Sequence, residues 1–292
     1  MQQNNATKVF EAERPRLMAI CYRMLGERTA SEDAVQDTWL RWAATDQGII
    51  RNPQAWLTRV ATRIAIDTLR AAQRRRESYV GPWLPEPLVS SADQPLEAAY
   101  IQAQECGVAL LWAMERLDAH ERAAFILREA FDAEYSELAE VLGKSDAACR
   151  QMVSRARRRV QNGVPRFEVS KAVVSDLLGR FYAAASVGDI EAAARLLAPD
   201  AQAISDGGAN ARAARRVLIG PDEVTQVVIA VTGKYLAIPG CSTEPCEVNG
   251  LPGLVNRVEG RMDSLITLVP DEQGRIARLF TFRAPEKLWY LT

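Results

Sequence analysis

Residues 135–159 read YSELAEVLGKSDAACRQMVSRARRR, and the middle of the chain takes its architecture from them. Leu138, Ala139 and Leu142 recur at helical spacing and give a first helix an apolar face, where the small Ala139 lets a second helix cross closely. Gly143 permits the backbone turn, and Ser145 is placed to cap the next helix. Along that second helix Cys149, Met152, Val153, Ala156 and Val160 fall on one side, with Arg150, Gln151, Ser154, Arg155, Arg157 and Arg158 left toward solvent. The pattern predicts a helix-turn-helix. An arginine-rich face opposite a packed face suits a groove-reading helix, because Arg donates bidentately to guanine and pairs with phosphates. A solvated surface helix carries the same pattern, so the rest of the chain has to decide.

Charge is segregated around this segment. The net charge of −1 over 292 residues argues against a nucleic-acid partner only on average. Glu86 to Glu140 holds twelve acidic and three basic residues, whereas Lys144 to Arg159 holds six basic and one acidic. A second basic run, Arg51 to Arg76, has seven basic residues against the single Asp67. Two short basic patches on a near-neutral chain point to local DNA contacts.

Upstream, residues 7–76 show apolar recurrence at three and four (Leu17, Ile20, Cys21, Met24, then Ala34, Val35, Trp39), which predicts a helical domain restarted at Asn52-Pro53. Residues 78–96 contain Gly81, Pro82, Pro85, Pro87 and Pro95, so no helix crosses them, and Trp83 and Leu84 in this linker call either for a docking surface or for packing on a neighbouring helix. Helical period returns over 97–163. After Val169, helices over 170–186 and 189–197 are expected to precede strands at 201–205, 253–259, 262–270 and 275–283, with one helix near 221–235. That order predicts an α+β domain. The five cysteines (Cys21, Cys106, Cys149, Cys241, Cys246) are scattered and read as reduced core thiols rather than disulfides or zinc ligands. Neither a signal peptide nor an apolar run of membrane-spanning length is read, so a cytoplasmic location is expected.

Two blocks carry a family resemblance. Residues 31–42, SEDAVQDTWLRW, are similar to the helix by which extracytoplasmic-function (group IV) RNA polymerase sigma factors grip the polymerase clamp helices. The resemblance implies polymerase contacts from Asp33, Gln36, Asp37 and Leu40. Asp33 and Asp37, like charges four apart, mildly repel, which favours an external partner over a role in helix stability. Residues 52–70, NPQAWLTRVATRIAIDTLR, resemble the promoter-melting and minus-ten-reading helix of the same family, implying DNA contacts from Arg59, Arg63 and Arg70. Arg63 stands where many relatives have Asn. The resemblance runs through sigma region two, a linker and sigma region four, over residues 7–163.

The last part resembles the SnoaL-like polyketide cyclases, related to nuclear transport factor two, in FYAAASVGDIEA at 181–192 and LLAPD at 196–200. DGGAN at 206–210, APEKL at 284–288 and WLPEP at 83–87 are similar to motifs of the sigma subgroup that carries such a domain, although Lys near Asn210 and Asn-Pro-Asp-Lys at the end are more usual there. The likeness implies an interdomain regulatory role for Trp83, Leu84, Pro85, Asp206, Gly207, Gly208, Pro285 and Lys287. Relatives of this domain include enzymes, but the sole histidine, His120, lies outside it, and a base would have to be Asp206 or Asp263. A turn role for Asp206 and a strand-start position for Asp263 are the expected readings.

The fold expected is multidomain. A region-two helical bundle (1–77), a Pro-rich linker (78–104) and a region-four helix-turn-helix domain (105–165), the two sigma domains all-α, precede an α+β cone-shaped SnoaL-like domain (166–292). The function implied is that of a sigma factor that binds core RNA polymerase and promoter DNA, is modulated in cis by its last domain, and is not an enzyme. No cofactor, metal or membrane partner is expected, and a small-molecule ligand of the last domain is a further candidate partner. Two rival readings are a helix-turn-helix regulator that never holds polymerase and a bifunctional protein whose last domain binds or converts a small molecule.

Overall fold

The computed structural model describes residues 2–90, 96–161 and 170–291. Pro95 and the expected boundary at 165–166 lie outside them. The chain divides into two compact units.

The first unit comprises Met1–Glu77, Leu96–Cys106 and Leu110–Val164. Helices α1 (Gln2–Leu25), α2 (Arg28–Ala43) and α3 (Pro53–Arg76) pack on one another around Leu17, Tyr22, Trp42, Leu57 and Leu69. Helix α3 starts where Asn52 accepts from the amide of Ala55 and Pro53 occupies the first turn, a position whose N–H would be unpaired anyway. Helices α4 (Val108–Met114), α5 (Ala119–Phe131), α6 (Tyr135–Leu142) and α7 (Asp146–Gln161) follow. The two groups of helices are in contact through α1, α3, α5 and α6. A charged staple holds them: Arg76 of α3 donates to Glu115 at 2.5 Å and to Glu27 at 2.8 Å, and the fully buried Arg122 of α5 also donates to Glu115 and to the Arg23 carbonyl at 3.0 Å. Charges so placed are tolerated because each finds a partner of opposite sign.

The second unit comprises Ser78–Pro95, Gly107–Ala109 and Pro165–Thr292. Among the described residues its seven strands run in the order β1 (Val89–Ser90), β4 (Cys241–Val248), β5 (Leu251–Val258), β6 (Arg261–Pro270), β7 (Ile276–Phe282), β2 (Leu197–Asp206), β3 (Leu218–Ile219). All neighbours are antiparallel except β2 and β7. Helices α8 (Lys171–Ser186), α9 (Ile190–Arg195) and α10 (Pro221–Leu236) cover the sheet, with Val174, Leu177, Phe181 and Val224 in the core against Leu197, Ala203, Leu268 and Leu279. A short helix, α11 (Pro285–Leu288), follows β7.

Three expectations change. The helix expected over 189–197 stops at Arg195, and β2 begins at Leu197 rather than 201, pairing first with Ile276. Strand β4 was not expected, and the linker itself supplies β1, where Val89 pairs with Val248 and Ser90 with Glu247. Four of the five thiols are buried, which pushes Cys106 up to about 11 and Cys21 and Cys246 up to about 12, leaving them unreactive near neutrality.

Candidate nucleic-acid interface

Helix α6 ends on Gly143, whose φ of 62° is a left-handed cap open to glycine at no steric cost, and Ser145 Oγ accepts from the Ala148 amide to start α7. Cys149, Met152, Val153, Ala156 and Val160 are buried, as their period requires. Arg150, Gln151, Ser154, Arg155, Arg157 and Arg158 are all exposed. The structure supports these arginines unequally. Arg155 Nε donates to Glu121 at 3.1 Å, Arg159 donates to the same buried carboxylate at 2.6 Å, and Arg157 donates to Glu129 at 2.7 and 3.1 Å. The Arg150 guanidinium carbon instead lies 4.9 Å from the ring centre of Tyr135, which also carries Arg128 at 5.1 Å. Sequence reading did not single out Glu121, Glu129 or Tyr135, because each acts only through a helix brought to it by the fold.

On α2, Asp33, Gln36, Asp37 and Leu40 are exposed at helical spacing, with Leu40 56% exposed, while Ala34, Val35, Thr38 and Trp42 face the core. These four side chains share one solvent-facing stripe of α2, opposite the packed one. On α3, Arg59 lines a cleft of about 600 Å³ together with Arg16 and Arg51. Arg63 donates to the Val141 and Glu140 carbonyls at 3.2 and 3.3 Å, and Arg70 Nη2 lies 3.0 Å from His120 Nδ1. Two of the three basic residues expected to reach DNA from α3 are therefore engaged with α6 and α5 in this structure.

The chain matches the Sigma-70 region 2 model over residues 9–75 and the Sigma-70 region 4 model over residues 108–160. It is 36% identical over 300 residues to the ECF RNA polymerase sigma factor SigJ of Mycobacterium tuberculosis, covering 95% of this chain and 91% of the relative. The chain belongs to the ECF RNA polymerase sigma factors. A probable ECF sigma factor of that species, SigI, is 26% identical over 291 residues, covering 98% of this chain and 96% of SigI. The crystal structure of M. tuberculosis SigJ matches with a TM-score of 0.76 at 32% identity, over 97% of this chain and 98% of that one. Regions two and four of this ECF sigma factor are thus α1–α3 and α4–α7, and the sheet domain follows the two sigma regions as in SigJ.

Within the second unit of the sigma factor, the linker is fastened at one acid. Asp206 Oδ1 accepts from the Tyr79 hydroxyl at 2.6 Å and the Gly208 amide at 3.1 Å, and Oδ2 from the Leu84 amide at 2.7 Å and Lys287 Nζ at 2.6 Å. Lys287 also donates to the Leu84 carbonyl and lies 4.2 Å from the ring centre of Trp83 and 5.2 Å from that of Tyr79. Leu84 and Pro85 are buried, and Tyr290 donates to the Pro87 carbonyl. A Cβ on Gly207 would come within 2.5 Å of the Ala211 carbonyl oxygen, and Gly208 has a φ of 57°, so both positions need glycine. Pro285 sits in the first turn of α11 and Lys287 two residues on, so α11 delivers the lysine to the cluster around Asp206. The turn expected of Asp206 is present in its bond to Gly208, but the larger role is the knot. Asp263 stands two residues into β6 and pairs with Arg283 at 2.9 Å.

Proposed function

We propose that this ECF sigma factor holds core RNA polymerase through Asp33, Gln36, Asp37 and Leu40, reads a bipartite promoter with α3 and α7, and is tuned in cis by the knot between its linker and its last domain. The exposed stripe on α2 carries the polymerase assignment. A repressor that only reads DNA has no use for two acids and a bare leucine on one helical face. Arg59, Arg63 and Arg70 are the residues offered to the minus-ten element. Arg63 and Arg70 must exchange their partners on α6 and α5 for DNA, so promoter engagement competes with packing inside the helical unit.

The last domain is read as regulatory and non-enzymatic. Asp206 receives four donors and Asp263 is paired with Arg283, so neither acid is poised as a base. The partners are core polymerase and promoter DNA, and the work is done in the cytoplasm. A small-molecule ligand is left out of this reading. The test is capture of core polymerase by the full chain and by the Asp33→Lys, Asp37→Lys double variant, followed by run-off transcription. The variant should fold as the parent does and lose most of its polymerase capture. Parental affinity in a folded variant would overturn the α2 assignment.

A further inference from the structure

The four arginines of α7 that are held in place are held by two kinds of support, and the difference assigns them different work. Arg155, Arg157 and Arg159 each spend N–H donors on a carboxylate of α5, with Glu121 taking two of them and Glu129 the third. An arginine so paired has part of its charge neutralised and part of its hydrogen-bonding fork occupied. Arg150 meets no acceptor among the described residues and is held over the face of Tyr135. Attraction to the face of an aromatic ring takes up none of the five N–H donors, so the guanidinium keeps its whole fork while losing rotamer freedom. Arg150 is also the fifth residue of α7, at the end of a recognition helix that meets base edges.

We propose that Arg150 is the residue of α7 that reads a base and that Tyr135, the first residue of α6, is the positioning residue that presents it. The inference rests on α7 being the promoter reader, and it names which side chain discriminates and why. Tyr135 stacks Arg128 on the same ring, so α5, α6 and α7 all contribute to the angle at which Arg150 leaves the helix. Bidentate recognition of guanine needs that angle fixed, because both N–H groups must meet O6 and N7 together. Arg155 and Arg157, with part of each fork occupied, are left to phosphate contacts, which need a single N–H donor and carry no base information.

The experiment uses the full chain and a set of upstream-element duplexes differing at one base pair each, with affinities measured at fixed salt. The variants are Tyr135→Leu, Tyr135→Phe, Arg150→Ala and the Tyr135→Leu, Arg150→Ala pair, with thermal melts as the check on folding. Tyr135→Leu should lose roughly two- to five-fold on the preferred sequence, the size expected of an exposed cation–π contact. Duplexes changed at the base that Arg150 reads should be bound as before. Tyr135→Phe keeps the ring and should behave as the parent, and Tyr135→Leu should be silent once Arg150 is gone. If Arg150→Ala weakens a single base preference while Tyr135→Leu leaves it intact, or weakens all duplexes alike, the positioning role is overturned and α7 remains the reader. If Arg150→Ala changes no duplex, the promoter-reading assignment of Arg150 fails, and the inference fails with it.

Discussion

A guanidinium has donors and no acceptor, so the 3.0 Å contact from Arg70 Nη2 requires the receiving Nδ1 of His120 to be unprotonated. Partial burial, then the charge of Arg70, lower the histidine's pKa, and Lys144 adds to them, while Asp118 and Asp67 pull the other way. The neutral ring is therefore favoured in the fold. With the folded value below the ordinary 6.5, the stabilisation is complete above about pH 6.5 and is lost as pH falls through the lower folded value. Melting temperature should accordingly begin to fall as pH drops below about 6.5, ahead of the carboxylates. His120→Gln, whose amide oxygen accepts from Arg70 at every pH, should flatten that part of the profile. Superimposable profiles for parent and variant over this window would remove His120 as the titrating group. None of this was legible in the sequence, where Arg70 presents as a DNA-facing residue and its partner lies fifty positions away.

At the scale of elements, the last carbonyls of a helix have no intrahelical donor, and Arg63 of α3 supplies one to Glu140 and Val141 at the end of α6. A positive charge there also meets the negative end of the helix dipole. Asparagine at this position is too short to span the same gap. Arg63→Asn should destabilise the pairing of α3 with α6 by about 0.5–1.5 kcal/mol, as expected for a hydrogen bond of this kind. Faster amide hydrogen exchange in α6, with the α2 amides unchanged, would be the readout, and unchanged exchange in α6 would count against the contact in solution. The helices themselves were open to sequence reasoning, since the buried set Cys149, Met152, Val153, Ala156 and Val160 follows directly from the 3.6-residue period. Strand β4 was not, for a physical reason. Its sequence CSTEPCEV has few apolar residues, no strict alternation and a proline, a residue that local pattern reading takes as evidence against a strand, and its pairing with β5 joins segments whose local sequence does not record the match. The helix α3 was found, but its engagement with α6 depends on a meeting of residues 77 and 78 positions apart that no local pattern records.

For the whole molecule, the decisive fact is the path of the chain, which leaves the helical unit at Glu77 and re-enters it at Leu96. The described part of the segment between them, Ser78–Ser90, belongs with the last domain, held by Asp206 and Lys287, by the Asn249 amide donating to the Leu88 carbonyl at 2.7 Å, and by the pairing of β1 with β4. The described part of the connection between region two and region four is thus held by the last domain, and a proline-rich segment has little freedom to lose. The tether can be released without touching a DNA contact. Lys287→Met leaves Asp206 buried without its counter-charge, which should cost about 3–5 kcal/mol. Trp83→Ala removes the ring beneath the ammonium and leaves the ion pair in place, so it should cost about 0.5–2 kcal/mol. If the docked linker sets how the two promoter readers are presented, run-off transcription should change in the order Lys287→Met, then Trp83→Ala, while each isolated promoter element is bound with parental affinity. The sign of the change distinguishes a last domain that restrains initiation from one that scaffolds it. Parental transcription from both variants, with calorimetry showing that the last domain of Lys287→Met has been destabilised, would mean that the knot stabilises that domain and has no part in regulation.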